Sequence, residues 1–327
     1  MSPVLRIGIL GAARISRDAL IRPAEEVDGV EVVAIAARDR DRAADAARKH
    51  GIPRVHDSYE ALLADPEIDA IYNPLPNGLH GRWTLAALDA GKHVLCEKPF
   101  TANAAEARDV AAAADASPFV VMEAHHTSHH PQTKRAAEIV QSGVLGDLTG
   151  AEASFIVPMP PSGDIRWNVA LAGGSLMDLG CYPLRWLRDV VGVVPTVVEA
   201  KAKDRDGIDA SMDARLDYAG TPGRVRAAMF SSTALSIGAK VHGTKGTMKV
   251  RMPFAPQTKG RIKVDGPDLR LREPADPRAS YAFQLEAFRD AVVAGGPNIT
   301  DSHAAVDTMV TIDAIYRAAG MDIRHPA

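Results

Sequence analysis

Cysteine is scarce: Cys96 and Cys181 are the only two in 327 residues. Both lie in apolar context, which excludes a disulfide scaffold and fits a reducing compartment. No stretch approaches the ~20 apolar residues that a membrane helix needs. The apolar run Val4–Leu10 is short, interrupted by Arg6 and preceded by no basic segment, so it reads as a buried strand rather than a signal sequence. Long Lys/Arg runs are lacking too, and a formal net charge of −3 leaves no nucleic-acid footprint. Internal repeats and low-complexity tracts are absent. What remains is an ordinary globular composition, 46% hydrophobic and 24% charged. The length exceeds that of one usual core, which predicts two domains of about 100–200 residues each in a soluble, cytoplasmic protein.

Up to Glu123 short apolar runs alternate with Ala-rich helical patterns. Strands are expected at Val4–Leu10, Val30–Ala36, Arg54–His56, Ala70–Tyr72, Val94–Cys96 and Phe119–Met122. The first helix begins near Ile15 and is limited by Pro23. Strand–helix alternation with fully apolar strands predicts an α/β domain over residues 1–123 with a doubly wound parallel sheet. From residue 124 the pattern changes. A helix opened by His130-Pro131 is followed by segments of partial period two at Thr149–Val157, Val197–Lys203, Ala210–Tyr218, Arg224–Ser231, Ala239–His242, Thr247–Arg251 and Arg261–Val264. They predict a largely antiparallel sheet in a second α/β domain, 124–327, ending in two helices, Tyr281–Ala294 and Ser302–Ala319.

Between the first strand and helix stands Gly11-Ala12-Ala13-Arg14-Ile15-Ser16. Aligned to G-x-G-x-x-G, it keeps the first glycine and has the small residues Ala13 and Ser16 at the other two. Such a turn lets a pyrophosphate approach backbone at a helix N-terminus, and it also suits any close strand–helix turn. About 25 residues on, where an NAD enzyme places a carboxylate on the ribose 2′-OH, the chain has uncharged Ala37 followed by Arg38 and Arg42. Two guanidinium groups four residues apart match a 2′-phosphate, so NADP is the expected cofactor, with NAD the alternative. Asp39 and Asp41 could instead pair with these arginines. After the fourth strand, the prolines and glycine of Pro74-Leu-Pro-Asn77-Gly-Leu-His80 fix a loop at the sheet's carboxyl edge, and Asn77 or His80 is expected to face the nicotinamide end. Asn77 reads equally as a helix cap.

Further on come Gly91-Lys-His-Val-Leu-Cys-Glu97-Lys98-Pro99, Met122-Glu-Ala, Gly173-Gly-Ser-Leu-Met-Asp178-Leu-Gly-Cys-Tyr182 and Tyr281-x-x-Gln-Leu-x-x-Phe288. With the glycine turn and Ala36-Ala-Arg-Asp-x-x-Arg42, these motifs span nearly the whole chain and resemble the Gfo/Idh/MocA oxidoreductases. Within them the dihydrodiol dehydrogenase and NADP-dependent D-xylose dehydrogenase branch is nearest. The resemblance implies a Rossmann domain, then a domain with an open-faced, mainly antiparallel sheet that serves as oligomer contact in a homodimer or homotetramer. It implies a cis peptide before Pro99. It assigns Lys98, Asp178 and Tyr182 as the catalytic set, and Glu97 and Lys98 to the cofactor site beside Gly11–Ile15.

Oxidising a carbinol needs a base for the O–H proton. A phenol titrates near ~10, too high for that work unless a neighbouring ammonium favours phenolate. Lys98 is expected to supply this charge to Tyr182, and Asp178 to orient a hydroxyl or Lys98. The bland readings are an N-cap for Asp178 and a half-buried aromatic for Tyr182. His125-His126-Thr-Ser-His129-His130 has helix-like spacings, but no Cys lies near and Pro131 starts the helix after it, so no metal is expected. His126, Arg166 and Trp167 are expected to line the substrate site, with the remaining histidines facing water. A hydride-transfer enzyme acting on a sugar, polyol or cyclic diol is the leading reading. A non-catalytic dinucleotide-sensing regulator is the alternative.

Overall fold

Strands that are apolar on both faces need cover on both, and a parallel sheet wrapped by helices provides it. In the computed structural model, which describes residues 4–160, 163–230, 235–267 and 269–327, six strands pair in parallel, all largely apolar except the short edge strand Arg54–His56. They are β1 (Leu5–Leu10), β2 (Val30–Ala36), β3 (Arg54–His56), β4 (Ala70–Asn73), β5 (His93–Glu97) and β6 (Val121–Ala124). Their order is β3-β2-β1-β4-β5-β6, so the strand sequence reverses between β1 and β4. Ligands of such sheets bind at that switch point, outside the carboxyl ends of the strands. Gly11 and Pro74 leave the sheet there.

The first compact unit runs up to His125 and takes in Tyr281–Val306 and Pro326–Ala327. A linear division at 123/124 does not contain this return. Its cause is visible in the packing: the helix Ser280–Ala294 places Ala282, Leu285, Phe288 and Ala291 three residues apart in one core with Ile7, Ile9 and Leu95.

The second unit, His126–Ser280 with Asp307–His325, holds eight strands. These are β7 (Leu148–Ile156), β8 (Thr196–Arg205), β9 (Ile208–Tyr218), β10 (Thr221–Ala228), β11 (Ser236–Gly243), β12 (Gly246–Arg251), β13 (Arg261–Asp265) and β14 (Arg270–Pro274). The order is β14-β13-β12-β11-β7-β10-β9-β8, antiparallel apart from the β7–β10 pair. Met248, Val250, Ile262 and Val264 face inward while Lys249, Arg251 and Lys263 face out. Strand β14 was not expected. Its only apolar residues are Leu271 and Pro274, so alternation is too weak to register, and it sits at the sheet's edge where Pro is tolerated. Ser231, the end of an expected strand, lies outside the described residues. Among the described residues no helix is long and apolar enough to cross a membrane.

Pro23 does not stop the first helix. A wide turn over Arg17–Ile21, in which the Arg22 N–H bonds to the Arg17 carbonyl, precedes it, and helix continues to Glu26. The same device recurs at Leu176–Gly180, where the Cys181 N–H bonds back to Leu176, and helix then runs Cys181–Val191 through Pro183. Proline lacks an N–H and crowds the carbonyl four residues back; widening the preceding turn accommodates both defects.

Candidate active site

In the first unit the glycine turn is built for close approach. Gly11 has φ +83°, and a Cβ there would lie 2.9 Å from Leu75 Cδ2. Only glycine takes this conformation without cost. Ala12 and Ala13 are half-buried, while Arg14 and Ile15 are exposed. Ser16 Oγ, buried at the start of the helix, has no hydrogen-bond partner among the described residues. The Asp39 carboxylate accepts the N–H groups of Asp41 and Arg42, capping the helix Arg40–His50. It is therefore spent on the helix. Arg38 and Arg42 are exposed, and Arg42 Nη2 reaches the Ala12 carbonyl at 3.5 Å. A close-approach turn, an orphan hydroxyl and guanidinium groups where a ribose-binding acid would stand fit a dinucleotide carrying a 2′-phosphate.

Sequence reasoning missed Tyr59. Burial pushes its phenol above the usual value, while a hydrogen bond from the Arg38 backbone and the charges of Arg38 and Arg42 oppose that shift. Its hydroxyl lies 3.8 Å from where a Gly11 Cβ would be. No motif announces it, because it reaches the turn from the helix Tyr59–Leu63 through tertiary packing.

Strand β5 delivers Glu97 and Lys98 to the sheet's carboxyl edge. Tyr72 donates to Glu97 Oε1 at 2.7 Å, and the Lys98 backbone N–H donates to Glu97 Oε2 at 3.3 Å. Glu97 is thus a brace for the Lys98 backbone. The Lys98–Pro99 peptide is cis, as the resemblance implied. His80 is 1% exposed, and its two ring nitrogens lie 2.7 Å from the Pro99 and Leu75 carbonyls. Both nitrogens are engaged by backbone, so the ring ties the loop after β4 to the segment after Lys98. Burial drives its pKa down to about 4, although two carbonyl acceptors favour the imidazolium. Removal from water outweighs them. A neutral ring has one N–H and so can donate to only one of the two carbonyls, whereas the imidazolium donates to both. Pro74 is buried and Asn77 half-buried in that loop.

In the second unit Tyr182 occupies the first turn of the helix Cys181–Val191 and is 7% exposed. His126 Nε2 lies 3.3 Å from its hydroxyl, and His126 Nδ1 lies 2.8 Å from Ser280 Oγ. Ser280 Oγ in turn donates to Gln257 Oε1 at 3.2 Å. The phenol ring packs edge-on against Phe155 and His126, with Phe254 beyond. The structure brings Asp178 and Arg166 together: Arg166 Nε donates to Asp178 Oδ2 at 2.7 Å and Nη1 to Asp164 at 3.0 Å. Trp167 packs beside Leu179, Ile208 and Met229 with Arg205 over its ring.

The other histidines of the cluster do not face water, contrary to expectation. His125, His129 and His130 are all buried. The reason is the chain's tight path: residues 126–129 form a helical turn, and His130 caps the next helix by accepting the Gln132 N–H.

Beneath this site lies a buried ion pair. Arg324 Nη2 donates to Asp209 Oδ1 at 2.8 Å, and both side chains are sealed from solvent. Asp209 Oδ2 also accepts the Leu176 N–H and the Ser175 hydroxyl, while Tyr316 donates to Oδ1. Arg324 further holds the Gly173 and Gly207 carbonyls. Gly174, at φ +134°, must be glycine, because a Cβ there would collide with the Asp209 carboxylate. This network fixes the start of the turn that carries Asp178.

Fold and cofactor-side geometry define a Rossmann-type dinucleotide-binding protein. The model described as "Oxidoreductase family, NAD-binding Rossmann fold" of the Gfo/Idh/MocA group matches residues 5–125, and the group's C-terminal domain matches residues 133–249. The chain belongs to the Gfo/Idh/MocA oxidoreductase family. It is 39% identical over 320 residues to D-xylose 1-dehydrogenase (NADP(+)) 2 of Haloferax volcanii, covering 96% of this chain and 97% of that one. It is 38% identical over 288 residues to trans-1,2-dihydrobenzene-1,2-diol dehydrogenase of Sus scrofa, covering 85% and 83%. Among solved structures, KijD10, a 3-ketoreductase from Actinomadura kijaniata crystallised with NADP and TDP-benzene, superposes with a TM-score of 0.88 at 30% identity, covering 99% and 100%. Solved forms of that ketoreductase include a tyrosine-to-phenylalanine and a lysine-to-alanine variant.

Proposed function

We propose that this chain is an NADP-dependent dehydrogenase or reductase. It moves a hydride between nicotinamide and a carbinol or carbonyl carbon of a sugar, polyol or cyclic diol, with Tyr182 as acid/base and Lys98 as its assisting charge. The observation that carries the reading is Tyr182 held by His126 at a helix start, in a chain that also presents Lys98 at the end of a Rossmann strand. The relatives' names, and the choice of a tyrosine and a lysine for replacement in the 3-ketoreductase, support it.

Gly11–Ile15 and Ser16 would hold the pyrophosphate, and Arg38 and Arg42 the 2′-phosphate. When bound, the cofactor supplies the hydride acceptor or donor. Tyr182 takes the carbinol proton onto its oxygen in oxidation and returns a proton to the carbonyl oxygen in reduction. Lys98 favours the phenolate form and donates a hydrogen bond to the substrate oxygen. His126 keeps the phenol oxygen in place and is itself fixed by Ser280. Asp178 orients Arg166, whose charge serves substrate hydroxyls, and Trp167 contributes an apolar surface.

The test is to mix the protein with NADP+ or NAD+ and a panel of aldoses and diols while following reduced-nicotinamide absorbance. Turnover is expected, and Tyr182→Phe and Lys98→Ala should each lower it by about 100-fold or more with NADP+ affinity little changed. Near-normal turnover in either variant removes that residue's role. Tight NADPH binding without turnover on any substrate favours a sensor instead.

A further inference from the structure

His126 joins two buried hydroxyls. Its Nε2 lies 3.3 Å from the Tyr182 hydroxyl, and its Nδ1 lies 2.8 Å from Ser280 Oγ. His126 is 3% exposed and Ser280 is fully buried. The direction of these bonds follows from the far end of the chain. Gln257 Oε1 can only accept, so the Ser280 hydroxyl gives it its one proton, at 3.2 Å. With that proton spent, Ser280 Oγ is an acceptor toward the ring, and a neutral His126 carries its N–H on Nδ1. Nε2 is left with a lone pair facing the phenol, whose O–H donates to it. Gln257 is only half-buried, so the outer end of the chain is in reach of solvent.

A ring aligned in this way can do more than hold the phenol still. We infer that His126 is the proton acceptor for Tyr182, so that the two work as a relay rather than Tyr182 working singly. The inference rests on the proposed role of Tyr182 and adds a partner to it. The phenol ring is walled by Phe155 and Phe254, and burial penalises a phenolate, so a lone pair within hydrogen-bond reach gives the displaced proton a place to go. A base whose tautomer is fixed by a third group is the recurring design for activating a hydroxyl. In oxidation the carbinol O–H bond breaks and its proton passes to the phenol oxygen. The phenol's own proton passes to Nε2, and the C–H electron pair leaves carbon as hydride for the nicotinamide. The ring ends as imidazolium, held by Ser280, and gives its extra proton to solvent before the next turnover. Reduction runs the same transfers backwards, from imidazolium to phenol to carbonyl oxygen. A 3.3 Å contact suffices, because such bonds tighten when substrate binds.

Two measurements test the relay. The first needs no variant: nitrogen-15 shifts of the His126 ring in the full chain should show a protonated Nδ1 and a bare Nε2. The opposite tautomer overturns the inference, because Nε2 would then donate to the phenol. The second is kinetic, on a substrate that the parent turns over. His126→Gln, which keeps a polar group but cannot take up a proton, should lower kcat by about 100-fold with substrate KM little changed. In His126→Gly, added imidazoles should restore turnover, and more so as their basicity rises. Near-parental kcat in His126→Gln, absence of rescue, or rescue indifferent to basicity leaves the ring a packing role and overturns the relay. The role of Tyr182 then still stands if Tyr182→Phe is inactive. Near-normal turnover in Tyr182→Phe removes the proposed role of Tyr182 itself, and the relay with it.

Discussion

Arg42 and Asp39 are three residues apart, yet they serve different ends. The carboxylate closes a helix terminus, and the guanidinium turns back to the glycine turn. If Arg42 grips a 2′-phosphate, Arg42→Ala should raise the KM for NADP+ by about 10–100-fold, the loss of one charged hydrogen bond, and leave that for NAD+ nearly unchanged. Steady-state kinetics with both cofactors check this; equal effects on both would sink the role. At this scale the sequence was informative where function needs a rare residue type at a fixed place. Gly11 and the charge pattern at 37–42 could be read directly. His126 was placed near substrate, but its bonds to Tyr182 and Ser280 could not be read, since Ser280 lies 154 residues away. Asn77 or His80 was expected at the nicotinamide end, yet both ring nitrogens of His80 lie against backbone carbonyls.

Single elements show what local patterns leave out. Both helices containing an internal proline survive by a widened turn just before it. Proline itself suggests a stop, so the sequence reading ended the first helix too early. Most strands of the second sheet were legible from alternation, while β14 was not. The turn Leu176–Gly180 depends on Asp209 and Arg324, 115 residues apart and invisible as a pair in the sequence. Removing one partner of a buried ion pair strands the other. Asp209→Ala is therefore expected to destabilise the protein by about 3–5 kcal/mol in urea denaturation, and Asp209→Leu with Arg324→Met to recover much of it. A loss under about 1 kcal/mol for Asp209→Ala would show that the pair is not what holds this turn.

For the whole molecule, buried histidines set the acid limit. Burial pushes His80 to about 4 and His129 to about 3, below the ~6.5 of an exposed ring. As pH falls through 6.5 the unfolded chain takes up protons that the folded chain refuses, so unfolding is favoured. The loss continues until pH reaches the folded values. Between pH 7 and pH 5 this amounts to about 2 kcal/mol for each ring. His129→Gln should flatten the dependence by about that amount; denaturation midpoints at the two pH values measure it, and parallel behaviour of parent and variant would refute the assignment. The α/β class and both sheets could be read from hydrophobic periodicity alone. The row Lys240, Lys249, Lys263 and Arg272 across β11–β14 could not, because its charges come from separate strands and align only when those strands pair.

The helix Ser280–Ala294 supplies Phe288 and its neighbours to a core begun at Leu5. A nascent chain emerges amino end first, so the Rossmann sheet leaves the ribosome with a gap in its packing. Roughly 160 residues intervene before the piece that fills it appears, some 10–30 s of synthesis at ordinary elongation rates. During that interval the early strands must be sheltered, by chaperones or by provisional contacts, and the amino-terminal unit completes its fold only once Ala294 has been added.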